Sequence, residues 1–169
     1  MMDLATFMAV AAMCAPLIDP GTARAVVATE SAFNPNAIGV VAGALERQPR
    51  NLPEALATAR MLRAQGWNYS VGLAQINART LQRLGLDVET AFEPCANLEA
   101  MQTVLLDCFE RALPRRFSAQ RALRAALSCY YSGNFVVGVR DGYVHRVVSA
   151  SRGVSPASPS LPHPAKETS

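Results

Sequence analysis

Apolar positions recur along this chain mostly at helical spacing, and Gly, Pro and cap residues mark the breaks. The stretch FMAVAAMCAPLI, ended by Pro16, predicts a first helix over residues 3–13. Asp19-Pro20 reads as an N-cap followed by proline at the first helical position, opening a helix over about 20–33 that NPNAIGV ends. Residues 34–52 form a long irregular stretch holding Gly39, Gly43 and Pro49, with Pro53 just beyond. Such loops within a domain are often functional. LPEALATARMLRAQG predicts the clearest helix, with Leu52, Leu56, Ala59, Met61, Leu62 and Ala64 on one side and Gly66 as the stop. WNYSVGLAQI predicts a short hairpin or extended loop around Gly72. A short helix follows at 78–84, stopped by Gly85. Asn97 is placed as the cap of a helix over about 98–113 that Pro114 terminates, and Ser118 as the cap of another over about 119–130. The small-residue stripe Ala122, Ala125, Ala126 and Cys129 suits close packing. A last short helix is expected near 143–150. From Ser151 the chain becomes SRGVSPASPSLPHPAKETS, whose composition predicts a disordered tail over 151–169 beside a domain over 1–150.

Composition narrows the class. The 169 residues are 50% hydrophobic and 17% charged, enough for one domain with a real core. The net charge of +3 comes without a Lys/Arg run or interleaved aromatic and basic residues, which argues against nucleic-acid binding. No segment reaches the roughly 20 apolar residues needed to span a bilayer. The N-terminal MMDLAT carries an acid and no base, a poor start for a signal peptide, so residues 3–13 are read as the fold's first helix with the leader missing from this chain. Cys14, Cys95, Cys108 and Cys129 form no CxxC pair, which argues against zinc ligation and thioredoxin-like chemistry. Four cysteines permit two disulfides, with three possible pairings.

The chemistry begins at VVATESAFNP. Glu30 is the only charged residue between Ala25 and Leu45, and it follows Ala23, Val26 and Val27 at helical spacing on an apolar face. A carboxyl group so placed is either capped or salt-bridged, or kept protonated by desolvation for general-acid work. SVGLAQIN (70–77) offers Ser70, Gln75 and Asn77 as neutral hydrogen-bonding groups suited to an uncharged sugar, and Gly72 for an unusual backbone angle; a turn packed on the core reads the same way. CYYSGNF places Tyr130 and Tyr131 before Gly133, either as site residues or as buried tyrosines at a helix end. His145 and His163 are too isolated for a metal site or a triad. Asp87, Glu89, Glu93 and Glu99 read as surface charges.

ESAFNPNAIG, GLAQIN and ALSCYYSGN occur in the order and near the spacing seen in lytic transglycosylases of the lysozyme-like superfamily. With GALERQPRN and GWNYSVGLAQIN, the chain most resembles the peptidoglycan-cleaving proteins of type IV secretion and conjugal-transfer systems. The resemblance spans roughly residues 10–140. It implies a mainly α, lysozyme-like domain (of the goose-type or soluble lytic transglycosylase kind) with a small β-hairpin or extended loop at a cleft for peptidoglycan glycan strands. Carried over by position, Glu30 is the catalytic acid/base, followed by Ser31; Gly72, Leu73, Gln75 and Asn77, with Ser70, line the cleft; Tyr130 matches a tyrosine near the acid. Tyr131 stands where many relatives have asparagine, and Ala74 where methionine is common. The resemblance also implies a periplasmic location, no metal or cofactor, and secretion-system components as partners. It implies a one-acid mechanism leaving a 1,6-anhydro end, since no second acid stands in a motif. The rivals are a hydrolytic muramidase, for which Glu46 is the only loop acid to nominate, and a non-catalytic wall-binding assembly protein. For the cysteines, Cys95 with Cys129 is the expected pair, as PCANL and LSCYY meet beside the cleft, leaving Cys14 with Cys108.

Overall fold

A computed structural model describes residues 1–115 and 118–153, so the expected tail lies, from residue 154 on, outside the described residues. The chain folds in the order α1 (Leu4–Cys14), α2 (Pro20–Ser31), β1 (Ile38–Val40), α3 (Leu52–Ala64), β2 (Tyr69–Val71), β3 (Ile76–Asn77), α4 (Ala78–Arg83), α5 (Val88–Ala91), α6 (Pro94–Ala112), a 3-10 turn (Leu113–Arg115), α7 (Ala119–Ser132), α8 (Val137–Arg140) and α9 (Tyr143–Ser151). It is a mainly α, lysozyme-like domain with one small antiparallel sheet in the order β1-β2-β3.

The expected starts hold where a side chain caps. Asp19 accepts from the Thr22 amide at 2.8 Å ahead of Pro20, and Ser118 accepts from the Arg121 amide at 3.3 Å. Gly133 closes α7 in the left-handed conformation with φ 75°. WNYSVGLAQI is a hairpin: Ser70 pairs with Asn77 and Val71 with Ile76, while β1 adds to the other side of β2 through Ile38–Val71 and Val40–Tyr69. The irregular stretch after β1 is pinned by Gln48, whose amide accepts from the Ile38 N–H at 2.9 Å and donates to the Ile38 carbonyl at 2.8 Å. One apolar core joins the inner faces of α1, α2, α6, α7 and α9 to the sheet, with Phe7, Val26, Val27, Leu98, Met101, Tyr130 and Tyr143 at its centre.

Two expectations fail together on α6. This helix begins at Pro94, not after Asn97, and Asn97 lies within it, fully buried. Cys95 therefore sits in the first turn of α6 and Cys108 thirteen residues on, roughly 20 Å along the axis. The expected pairing of Cys95 with Cys129 is replaced by Cys14–Cys95 and Cys108–Cys129, with Cα–Cα distances of 5.3 and 5.8 Å. The cause is packing: the end of α1 meets the start of α6, and α7 packs along α6. With Cys129 held against Cys108, the rigid helix keeps Cys95 out of its reach.

Candidate active site

Glu30 occupies the last turn of α2. Ala23, Val26 and Val27 on the same helix are fully buried, as their spacing predicts, and Glu30 is half-buried at the edge of that stripe. The backbone then turns sharply: Ala32 and Phe33 take φ values of 50° and 61°, a left-handed region that costs non-glycine residues energy. Phe33 is held there by an edge-on contact with Phe7, ring centroids 5.1 Å apart. Strain thus sits directly behind the candidate acid. Ser31 is half-buried and its hydroxyl donates to the Val27 carbonyl at 3.3 Å.

The partner of Glu30 comes from 113 residues away. Tyr143, the first residue of α9, donates its O–H to Glu30 Oε1 at 2.7 Å, because α9 packs along α2. Tyr143 stacks on Tyr131, with centroids 4.6 Å apart and planes 15° from parallel. The Arg146 guanidinium lies 5.8 Å from the Tyr143 ring and donates to the Asp141 carbonyl at 3.3 Å. Tyr131 is therefore a platform that fixes the ring holding Glu30. Tyr130 is fully buried and donates to the Ala74 carbonyl at 2.6 Å, tying α7 to the hairpin turn. Burial, and then the nearby Glu30 charge, push the Tyr130 and Tyr143 phenols well above their ordinary range. Both remain neutral donors wherever Glu30 could work.

The hairpin turn is built around two residues. Gly72 takes φ 79°, and a Cβ there would overlap the Asn97 amide. Asn97 Oδ1 accepts from the Ala74 N–H at 2.8 Å, and its Nδ2 donates to the carbonyls of Ala91 at 2.7 Å and Val71 at 3.1 Å. Both amide hydrogens and the oxygen of this buried side chain are engaged, tying the turn to the end of α5. Gln75, with φ 50°, donates to the carbonyls of Ala37 and Gly72, each at 3.0 Å. Asn77 donates to Asn68 at 2.8 Å and to Ser70 at 3.4 Å while capping α4. Ser70, Gly72, Leu73, Gln75 and Asn77 are all buried. Their polar groups bind the hairpin to itself and to Ala37, beside the end of β1. Glu46 is exposed in the loop after β1.

Sequence reasoning placed a helix at 143–150 but gave Tyr143 no role, and gave Asn97 the wrong one. Tyr143 heads an amphipathic helix with Val144, Val147 and Ala150 buried, which reads as an ordinary core stripe. A buried asparagine inside α6 carries a signal only once α6 is known to start before it.

The fold and this arrangement, a half-buried glutamate ending one helix and bonded by a tyrosine from the last helix, define a lysozyme-like domain. Residues 7–141 match the transglycosylase SLT domain, and the chain belongs to that family. It is 46% identical over 151 residues to the type IV secretion system protein virB1 of Brucella abortus biovar 1, covering 86% of this chain and 63% of that protein. It is 33% identical over 153 residues to protein virB1 of Rhizobium radiobacter, covering 90% and 64%, and 29% identical over 166 residues to protein virB1 of Agrobacterium fabrum, covering 98% and 67%. The chain thus spans about two thirds of the length of the curated relatives it matches. No solved structure matches it.

Proposed function

We propose that this chain is a peptidoglycan lytic transglycosylase, a carbon–oxygen lyase that opens the wall locally for a type IV secretion or conjugation apparatus. The observation that carries the reading is the Tyr143–Glu30 hydrogen bond of 2.7 Å, which fixes a half-buried carboxyl group at the end of an apolar helix face. Glu30, as the acid, protonates the oxygen between N-acetylmuramic acid and N-acetylglucosamine, and the C1–O bond breaks. The carboxylate so formed takes the proton from the muramoyl 6-hydroxyl. O6 closes on C1, giving a 1,6-anhydro end and restoring the acid, with no water consumed. The substrate's own N-acetyl group stabilises the positive centre. Tyr143, a neutral donor, holds the carboxyl through both steps.

Ser31 and the 70–77 hairpin line the cleft in this reading. Gly72, Leu73, Gln75, Asn77 and Ser70 act through the shape and backbone of the turn, because their amides are used within the protein. Tyr130 fixes that turn to α7, and Tyr131 fixes Tyr143. No metal or cofactor takes part. The secretion context rests on the names of relatives up to 46% identical, and a periplasmic location is the one in which such a wall-cleaving enzyme meets its substrate. Among the described residues no helix is long and apolar enough to cross a membrane.

The test is mass spectrometry of soluble products from purified peptidoglycan. Wild type is expected to release anhydro-muropeptides and Glu30→Gln, still folded, none. Products heavier by one water, with reducing ends, would replace this reading with a muramidase; binding without products from either protein would replace it with a wall-binding role.

A further inference from the structure

A second concavity lies at the other end of the hairpin from the turn that Tyr130 holds. It encloses about 480 Å³ between the end of α3, β2, α4 and the start of α5. Its lining includes the apolar side chains of Leu81 and Val88, both nearly buried. Trp67, the only tryptophan of the chain, forms one wall and is 46% exposed. Its ring rests near Gly43 of the loop after β1. Arg63 and Arg79 also line the groove, and neither is within an ion pair among the described residues. Asp87, the acid of the lining, is committed to capping α5, where it accepts from the Thr90 amide at 2.6 Å.

Tyr69 supplies the observation that points to a ligand. It lines the groove and is only 2% exposed, yet among the described residues no group accepts a hydrogen bond from its hydroxyl. Buried hydroxyls in folded proteins are nearly always partnered. Arg63 lines the same groove as Tyr69, and the Glu89 carboxylate, whose charge also acts on the phenol, is paired with Arg60. Two available cations, a buried donor without an acceptor and an exposed indole over apolar walls call for an acceptor-rich anion with an aliphatic body. In the wall polymer the backbone of N-acetylmuramic acid and N-acetylglucosamine presents no such anion where each lactyl carboxyl is taken up in the amide to its peptide. The short peptides carried by its muramoyl residues supply carboxylates and aliphatic chains.

We propose that this groove is a subsite for the carboxylate-bearing peptide stems of the wall polymer, with Arg63 and Arg79 on the carboxylates, Tyr69 as the buried donor and Trp67 against the aliphatic body. This rests on the reading of the chain as a wall-cleaving enzyme. The reach is adequate: Tyr69 is five residues from Ala74, on the order of 10–15 Å along the hairpin. A stem of four or five residues spans up to about 13–18 Å.

The sole tryptophan makes the test direct. The full chain carrying Glu30→Gln is titrated with the free stem tetrapeptide while Trp67 fluorescence is followed. A saturable change is expected, with binding weakened about tenfold by Arg79→Ala and also weakened by Tyr69→Phe, which keeps the ring and removes only the donor. The same length of polyglutamate should bind more weakly, and an oligomer of N-acetylglucosamine, which has neither stems nor lactyl carboxylates, should leave the fluorescence unchanged. No response to the stem, or a response unaltered in both variants, would overturn the subsite. Equal or tighter binding of polyglutamate would overturn it in favour of an acidic protein segment. The readout needs no turnover, so it stands apart from the product analysis above: cleavage without a Trp67 response removes the subsite alone, and a Trp67 response without cleavage removes only the lyase.

Discussion

Replacing Asn97 by alanine should be among the single changes most damaging to the stability of the fold. Asn97 is fully buried and makes three hydrogen bonds, to Ala74 N–H and to the carbonyls of Val71 and Ala91. Alanine leaves one donor and two acceptors in a dry interior. A neutral hydrogen bond contributes about 1 kcal/mol net, and a stranded buried group costs about 1–3 kcal/mol. The expected loss is about 3–5 kcal/mol once partial relaxation is allowed. With a urea m-value of about 2 kcal/mol/M, the unfolding midpoint should fall by about 1.5–2.5 M. Asn97→Asp sharpens the test. It retains an acceptor for the Ala74 N–H but faces two carbonyls with oxygen, so its folded-state pKa must rise above the unfolded value of about 3.9. A carboxyl group with a raised folded pKa is harmless below the unfolded pKa and loses stability as pH rises through that window. The Asp variant should therefore recover part of its deficit at pH 4, and the Ala variant should not. A midpoint drop under about 0.5 M for alanine at unchanged m, or no pH dependence for aspartate, would refute the clamp.

Other expectations follow from the same geometry. Tyr143→Phe removes the donor to Glu30 while keeping the stack on Tyr131; the chain should fold, and anhydro-product formation should slow by about 10–100-fold, the worth of one hydrogen bond to a charged group. Unchanged turnover would remove Tyr143 from the site. Tyr130 and Tyr143 hold their protons in the folded state above the pH at which unfolded tyrosine ionises, so the unfolded chain binds fewer protons there. Stability should be complete below about pH 10 and fall above it by up to about 2.7 kcal/mol per pH unit for the two groups, less by half in Tyr143→Phe, as read from urea midpoints between pH 9 and 11.5. Non-reducing peptide mapping should recover Cys14 joined to Cys95 and Cys108 to Cys129. Removing the Cys14–Cys95 link, which spans 81 residues, should cost about 2–5 kcal/mol, and a peptide joining Cys95 to Cys129 would contradict the structure.

The chain wrote its local instructions plainly. Asp19 before Pro20, Ser118, Gly133 and the Ala23–Val26–Val27 stripe each act within a turn or two of helix, so caps, stops and the half-buried placement of Glu30 were legible without any fold. The order of ESAFNPNAIG, GLAQIN and ALSCYYSGN marked the class. What the tertiary structure alone decided is which distant groups meet. The clasp of Tyr143 on Glu30 depends on α9 lying along α2, the four cysteines were sorted by how α1 and α7 pack on α6, and Asn97 became a clamp because α6 starts three residues before it. Local propensity acts over a few residues, whereas these contacts are chosen by the burial of whole helix faces, which no short stretch of sequence carries by itself.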